Sequence, residues 1–115
     1  MPIQHQPDQV PNLLEQQAKI FKALGHPSRL SMAEALREGE KRVCELQEHV
    51  GADMSTISKH LTVLRNAGIV TSQKRGTNIY YSLALPCLDV FLQCTGSMIQ
   101  SRVLLHMSLL PNKER

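Results

Sequence analysis

VCELQEHVGADMSTISKHLTVLRNAG, residues 43–68, holds two helical patterns joined by a tight turn. In the first, Val43 to Val50, the apolar residues Val43, Leu46 and Val50 recur at helical spacing. Gly51 then offers the left-handed backbone that ends a helix cheaply. Asp53 is placed as the N-cap of a second helix, Met54 to Ala67, because its carboxylate can accept from exposed backbone amides. Ile57, Leu61 and Leu64 form the inner stripe of that helix, and Gly68 ends it. Two short helices joined by Gly51-Ala52-Asp53 have the spacing of a helix-turn-helix.

Upstream, a helix is predicted from about Pro11 to Leu24, with Leu13, Leu14, Ile20, Phe21 and Leu24 on one stripe and Gly25 as its stop. Pro27 suits the first turn of the next helix, which carries Leu30, Ala33 and Leu36 and is closed by Gly39. Downstream, Ile69–Gln73 and Ile79–Leu83 are rich in strand formers. Lys74-Arg75-Gly76-Thr77-Asn78 between them is turn-rich, so the segment predicts a hairpin. After Pro86 the pattern is helical again, from about Leu88 to Leu109. The fold class is mainly α with a small β-hairpin, in the order α-α-α-α-β-β-α. Residues 1–9 are predicted as an arm, 10–110 as one winged helix-turn-helix domain, and 111–115 as a tail.

Composition narrows the function. A chain of 115 residues holds one core, and 42% apolar with 20% charged residues is ordinary for a folded domain. The net charge of +3 permits a polyanionic partner without requiring one. Its distribution is more telling: no acidic residue falls between Met54 and Leu83, where Lys59, Arg65, Lys74 and Arg75 stand unopposed. No apolar run reaches the roughly 18 residues of a membrane span. The polar N-terminus has no signal-peptide pattern. A cytoplasmic protein with no membrane partner is expected. No nucleophile–base–acid set, phosphate-binding glycine loop or carboxylate pair supports an enzyme.

The outer face of the fourth helix carries Ser55, Thr56, Ser58, Lys59, His60 and Thr62. Small polar residues near a helix N-terminus allow close approach to a major groove, where Ser and Thr bond phosphates or base edges and Lys reaches guanine. Lys74, Arg75 and Thr77 at the hairpin tip would grip the flanking backbone, adding affinity and salt dependence rather than sequence choice. The competing reading is a protein-docking module, which would show exposed apolar residues on this outer face.

These residues resemble a known family. FKALGHPSRL (21–30), STISKHL (55–61) with LRNAGIV (64–70), and the wing from Arg75-Gly76-Thr77 to Tyr80-Tyr81 are similar to ArsR/SmtB repressors in order and spacing. The resemblance implies a homodimeric winged helix-turn-helix repressor, paired through its first and last helices. It also implies a double-stranded operator with dyad symmetry, and release of DNA on binding an inducer. The last helix agrees independently. Leu88, Phe91, Leu92, Met98, Ile99, Val103 and Leu104 are more apolar surface than a small domain covers, which suits an isologous contact.

The same resemblance locates two metal sites, and this chain departs from both. Where many relatives carry Glu-Leu-Cys-Val-Cys-Asp-Leu on the third helix, Glu40–Leu46 retains Cys44 and has Arg42 in place of the other cysteine. On the last helix only Asp89 and His106 match the second site. There remain Cys44, Cys87 and Cys94, an odd number that argues against a disulfide framework. Three thiolates suit a soft ion: trivalent arsenic, antimony or cadmium. Thiol oxidation or persulfidation is the rival switch, and buried packing is the third alternative. Cys87 and Cys94 lie about 10 Å apart in rise if both are helical, too far for one ion unless Cys87 precedes the helix.

Overall fold

The computed structural model describes residues 12–110, so the expected arm (1–9) and tail (111–115) lie outside the described residues. The described residues form two compact units, divided between Ala84 and Leu85.

In the first unit, α1 spans Leu13–Leu24. Then α2 spans Pro27–Leu36, with Pro27 in its first turn and His26 as N-cap. The Nδ1 of His26 accepts from the Ser28 amide at 3.1 Å, satisfying one of the helix's orphan donors. A two-residue strand, β1 (Lys41–Arg42), leads directly into α3 (Val43–Val50). Glu45 folds back to accept from the Arg42 amide at 2.7 Å, which fixes the strand-to-helix corner. That hydrogen bond, with the Arg42 charge, holds the Glu45 carboxyl below the usual carboxylate range.

Gly51 ends α3 at φ 83°, as its place in the sequence predicts. The next helix, α4, spans Met54–Asn66 and is capped by Asp53, whose carboxylate accepts from the Thr56 amide at 2.8 Å and from Ser55 Oγ at 3.2 Å. At its far end Gly68 adopts φ 79°, the Gly68 amide donates to the Arg65 carbonyl, and the Ile69 amide donates to the Leu64 carbonyl. This paired closure sends the chain directly into the sheet.

The sheet runs in the order β1-β3-β2, with β2 at Val70–Arg75 and β3 at Asn78–Leu83. Arg75 faces Asn78, and Lys41 faces Tyr81 in the second pairing. The strands therefore extend into the stretch expected to be loop. Lys74, Arg75 and Asn78 are strand residues, and the turn is only Gly76-Thr77. Gly76 has φ 62° and Thr77 stays at negative φ, so one glycine makes a tight two-residue turn sufficient. The third strand, β1, was not foreseen.

The core of this unit is Ala23 and Leu24 of α1, Met32, Ala33, Ala35 and Leu36 of α2, Leu46 of α3, and Ile57, Leu61 and Leu64 of α4, with Ile69, Val70 and Tyr81. All four helices contribute to this core, and the Ile57–Leu61–Leu64 stripe fixes α4 from behind and leaves its opposite face outward.

The second unit is built on one helix, α5 (Cys87–Leu109), roughly 34 Å long at the usual rise. Cys87 is its first helical residue, one earlier than predicted. Val90, Met98, Ile99, Val103, Leu104, Leu105, Met107 and Leu109 each keep half or more of their surface exposed.

Candidate nucleic-acid interface

The exposed face of α4 comprises Ser55, Ser58, Lys59 and Thr62, positions i, i+3, i+4 and i+7 of one surface. None of the four is a large apolar group, and Ile57 and Leu61 between them are buried, while Met54 and Val63, each 39% exposed, lie on the same helix outside this face. Ser55 Oγ donates to the Asp53 cap, and Thr62 Oγ1 donates to the Ser58 carbonyl at 2.9 Å. Both hydroxyls are oriented by donating inward and keep their capacity to accept. Lys59 is exposed and forms no ion pair among the described residues. The Asp53 carboxyl is held below its ordinary value chiefly by the Thr56 amide, so the cap stays ionised well into acid.

Two of the expected contacts are placed differently. Thr56 is half-buried at the flank. His60 turns back toward α2: its ring lies 4.5 Å from the His26 ring, and its Nδ1 is 3.3 Å from Arg29 Nη1. Its position explains this, because His60 is three residues after Ile57 and four before Leu64, beside the buried stripe. His60 is thus half-buried, with one side of its ring engaged by α2.

The wing also differs from expectation. Lys74 is exposed, and Thr77 sits in the turn. Arg75 is opposed after all, because Glu40 just before β1 takes both of its terminal nitrogens. Gln73 Oε1 accepts from it at 2.8 Å, and the guanidinium lies 4.7 Å over the Tyr80 ring. That pairing lowers the Glu40 carboxyl and raises the Arg75 guanidinium from their ordinary values. Arg65 near the end of α4 reaches Ser72 Oγ on β2 at 3.3 Å, tying helix to wing. Between α4 and the wing lies a cleft of about 320 Å³ lined by Arg42, Val43, Cys44, Ser58, Thr77, Asn78, Ile79 and Tyr81. It brings together Ser58, Thr77 and Cys44, which the sequence named separately. It also adds Asn78 and Arg42, which sequence reasoning missed.

The three cysteines are free thiols, exposed in the single chain. Cys87 and Cys94 are seven residues apart on one continuous helix, so their rise of about 10 Å prevents both from reaching one ion within a chain. The same spacing exceeds the ~7 Å limit between Cα atoms for a direct disulfide. Among the described residues no three His, Cys, Asp or Glu side chains gather to hold a metal ion. No helix among them is long and apolar enough to cross a membrane.

Residues 26–72 match the arsR family of bacterial regulatory proteins. An uncharacterized HTH-type transcriptional regulator of Methanocaldococcus jannaschii is 45% identical over 69 residues, covering 58% of this chain and 78% of that protein. The crystal structure of M. tuberculosis Rv0081 superposes with a TM-score of 0.71 at 35% identity, over 84% of this chain and 97% of that one. The solution structure of Mb0332 from Mycobacterium bovis, a homodimeric winged helix-turn-helix DNA-binding domain, gives a TM-score of 0.72 at 25% identity, over 99% of this chain and all of that one.

Proposed function

The chain belongs to the arsR family of winged helix-turn-helix, DNA-binding transcriptional repressors, and on that premise we propose that it represses as a homodimer on a dyad-symmetric operator, with Ser55, Ser58, Lys59 and Thr62 of each protomer reading a major groove. The observation that carries this is the face of α4: small oriented hydroxyls and one lysine without an ion pair, fixed from behind by Ile57, Leu61 and Leu64. Thr56 at the flank, with Lys74 and Thr77 of the wing, would contact the adjoining backbone, and Arg75 would join them only by leaving Glu40.

Pairing is supported by α5. Fully burying a leucine- or valine-sized side chain contributes about 1.5–3 kcal/mol, and eight such groups in that helix keep half or more of their surface exposed. These groups ring the helix, and a second copy applied by a twofold axis would cover part of that surface with its own. A cytoplasmic location follows from this reading, as a consequence of acting on DNA.

For the inducer, the exposed thiols support a soft metal or metalloid ion such as trivalent arsenic, antimony or cadmium. The cysteines of a single α5 do not fit that ion, so a thiolate site on this helix requires ligands from both protomers. A Cys87–Cys94 disulfide faces the same geometry and would likewise link two chains, whereas persulfidation needs only one thiol. The test is fluorescence anisotropy of the reduced protein on promoter DNA, titrated with trivalent arsenic under anaerobic conditions. Release at one ion per dimer or more supports the soft-ion reading. Binding to promoter and scrambled duplexes with equal affinity would overturn the repressor reading.

A further inference from the structure

His26, Arg29 and His60 tie three helices together. Arg29 Nε donates to the Ala23 carbonyl at 2.6 Å and its Nη2 reaches the Lys22 carbonyl at 3.5 Å, so it closes the last turn of α1. Its Nη1 meets His60 Nδ1 in the middle of α4 at 3.3 Å. His26, the cap of α2, packs its ring on His60 with centroids 4.5 Å apart and planes at 49°. The recognition helix is thus held by a polar contact lying beside its apolar stripe.

The contact constrains where protons sit. A guanidinium carries only donors, so His60 Nδ1 must accept, and the ring is neutral with its proton on Nε2. His26 Nδ1 accepts from the Ser28 amide, so that nitrogen carries no proton either. A proton added to His60 Nδ1 would set N–H against N–H at Arg29. The groups that act on the His60 charge are His26 and Arg29. Lys22 and Lys19 of α1 line the groove beside Arg29, and Lys59 is its neighbour on α4. Among the described residues, none of these groups is a carboxylate that could offset a charged His60.

We propose that Arg29 and His26 are positioning residues for operator recognition, setting the pose of α4 through a neutral His60, and that acidification releases this hold and lowers sequence discrimination. The proposal rests on the repressor reading above. Desolvation, then His26 and Arg29, holds His60 below the usual imidazole value of 6.5. A lowered value in the folded pose means that the contact is fully present above that value. It is lost as pH falls through His60's lowered value, on the acid side of 6.5.

The experiment measures the affinity of the full chain for a duplex selected from a random library and for a scrambled duplex, from about pH 8 to about pH 5.5 at constant ionic strength. The selected-to-scrambled ratio should fall on acidification, because a protonated His60 no longer holds α4 in the specific pose. Affinity for the scrambled duplex should hold or rise, because the protein gains charge. In His60→Gln, whose amide oxygen can accept from Arg29 without titrating, the ratio relative to its own value near pH 8 should stay flat. A flat ratio in the wild type, or a full slope in His60→Gln, overturns the proposal. Nitrogen-15 NMR of the free wild-type protein supplies an independent readout that needs no variant to fold: His60 must carry its proton on Nε2 near pH 8, and an Nδ1 proton refutes the contact. Equal affinity for both duplexes at every pH would overturn the repressor reading and this proposal with it. The NMR result would still report whether the Arg29 contact exists, so the two failures are told apart.

Discussion

Replacing Glu40 with Gln should make the protein bind all DNA more tightly and with a steeper dependence on salt. In the free protein both terminal nitrogens of Arg75 are engaged by Glu40, and Gln73 and Tyr80 hold the same guanidinium. The charge of Arg75 is therefore neutralised before DNA arrives, whereas Lys74 beside it forms no ion pair among the described residues. Each phosphate neutralised adds about 0.9 to the slope of log affinity against log salt. A dimer presents two wings, so Lys74→Ala should flatten the slope by about 1.8, a roughly twelvefold smaller loss of affinity between about 50 and about 200 mM salt. Arg75→Ala should change the slope by much less. Glu40→Gln frees two guanidinium groups per dimer and should steepen it by up to about 1.8. Fluorescence anisotropy on selected and scrambled duplexes, repeated across salt, reads all three. Because Arg75 holds the Glu40 carboxyl below its ordinary 4.5, the pair is present above that value and is lost only as pH falls through the lowered one. The Glu40→Gln difference should accordingly persist unchanged across neutral pH. An unaltered slope in Glu40→Gln, or an Arg75→Ala slope equal to that of Lys74→Ala, would show that Arg75 abandons Glu40 for phosphate on binding and refute the reasoning.

Lys59→Ala should cut the selected-to-scrambled affinity ratio about tenfold, the scale of one good base contact, and an unchanged ratio would remove it from the groove. Ile57→Ala deletes a wholly buried side chain behind the recognition face and should cost about 2–5 kcal/mol in urea denaturation; a loss under about 1 kcal/mol would mean that α4 is not seated as described. Leu104→Glu on α5 should shift the protein toward monomer in sedimentation and weaken operator binding, and a stable dimer would move the interface elsewhere. Cys94→Ser should bind DNA normally yet ignore trivalent arsenic; normal induction would clear Cys94 of that role.

What could be read from the sequence follows from the range of the forces involved. Gly51, Asp53 and the Ile57–Leu61–Leu64 stripe act within a few residues of themselves, so the boundaries of α3 and the start of α4 were legible to the residue. The hairpin was legible as a hairpin but not at its tip. Lys74, Arg75 and Asn78 look like loop residues by composition, yet Gly76 alone supplies the positive φ the turn requires, and strand pairing then runs to its edge. The strand β1 has two residues and exists only through backbone bonds to β3, about forty positions away, so no local pattern announces it. On α5, Pro86 left open whether Cys87 precedes the helix, and the spacing argument against one ion became decisive only when Cys87 proved helical.

The candidate site divides along the same line. Ser55, Ser58, Lys59 and Thr62 were legible because helical periodicity alone separates them from the buried stripe. The contacts of His60 were not legible: it shares a flank with Ile57 and Leu64, and a side chain there meets α2, a partner that lies far away in the sequence. Arg75 was misjudged for a different reason. Charge counted along residues 54–83 omits Glu40, which the β1–β3 pairing carries to the wing from 35 positions upstream. Both differences run in one direction, from unpaired to paired. A cation or imidazole looks available in sequence because its partner is distant, and folding supplies that partner. The net charge of a binding face in this protein is therefore a tertiary quantity. Among the described residues, Lys59 and Lys74 are the cations of that face that fold without an ion pair, as the count along the chain had them.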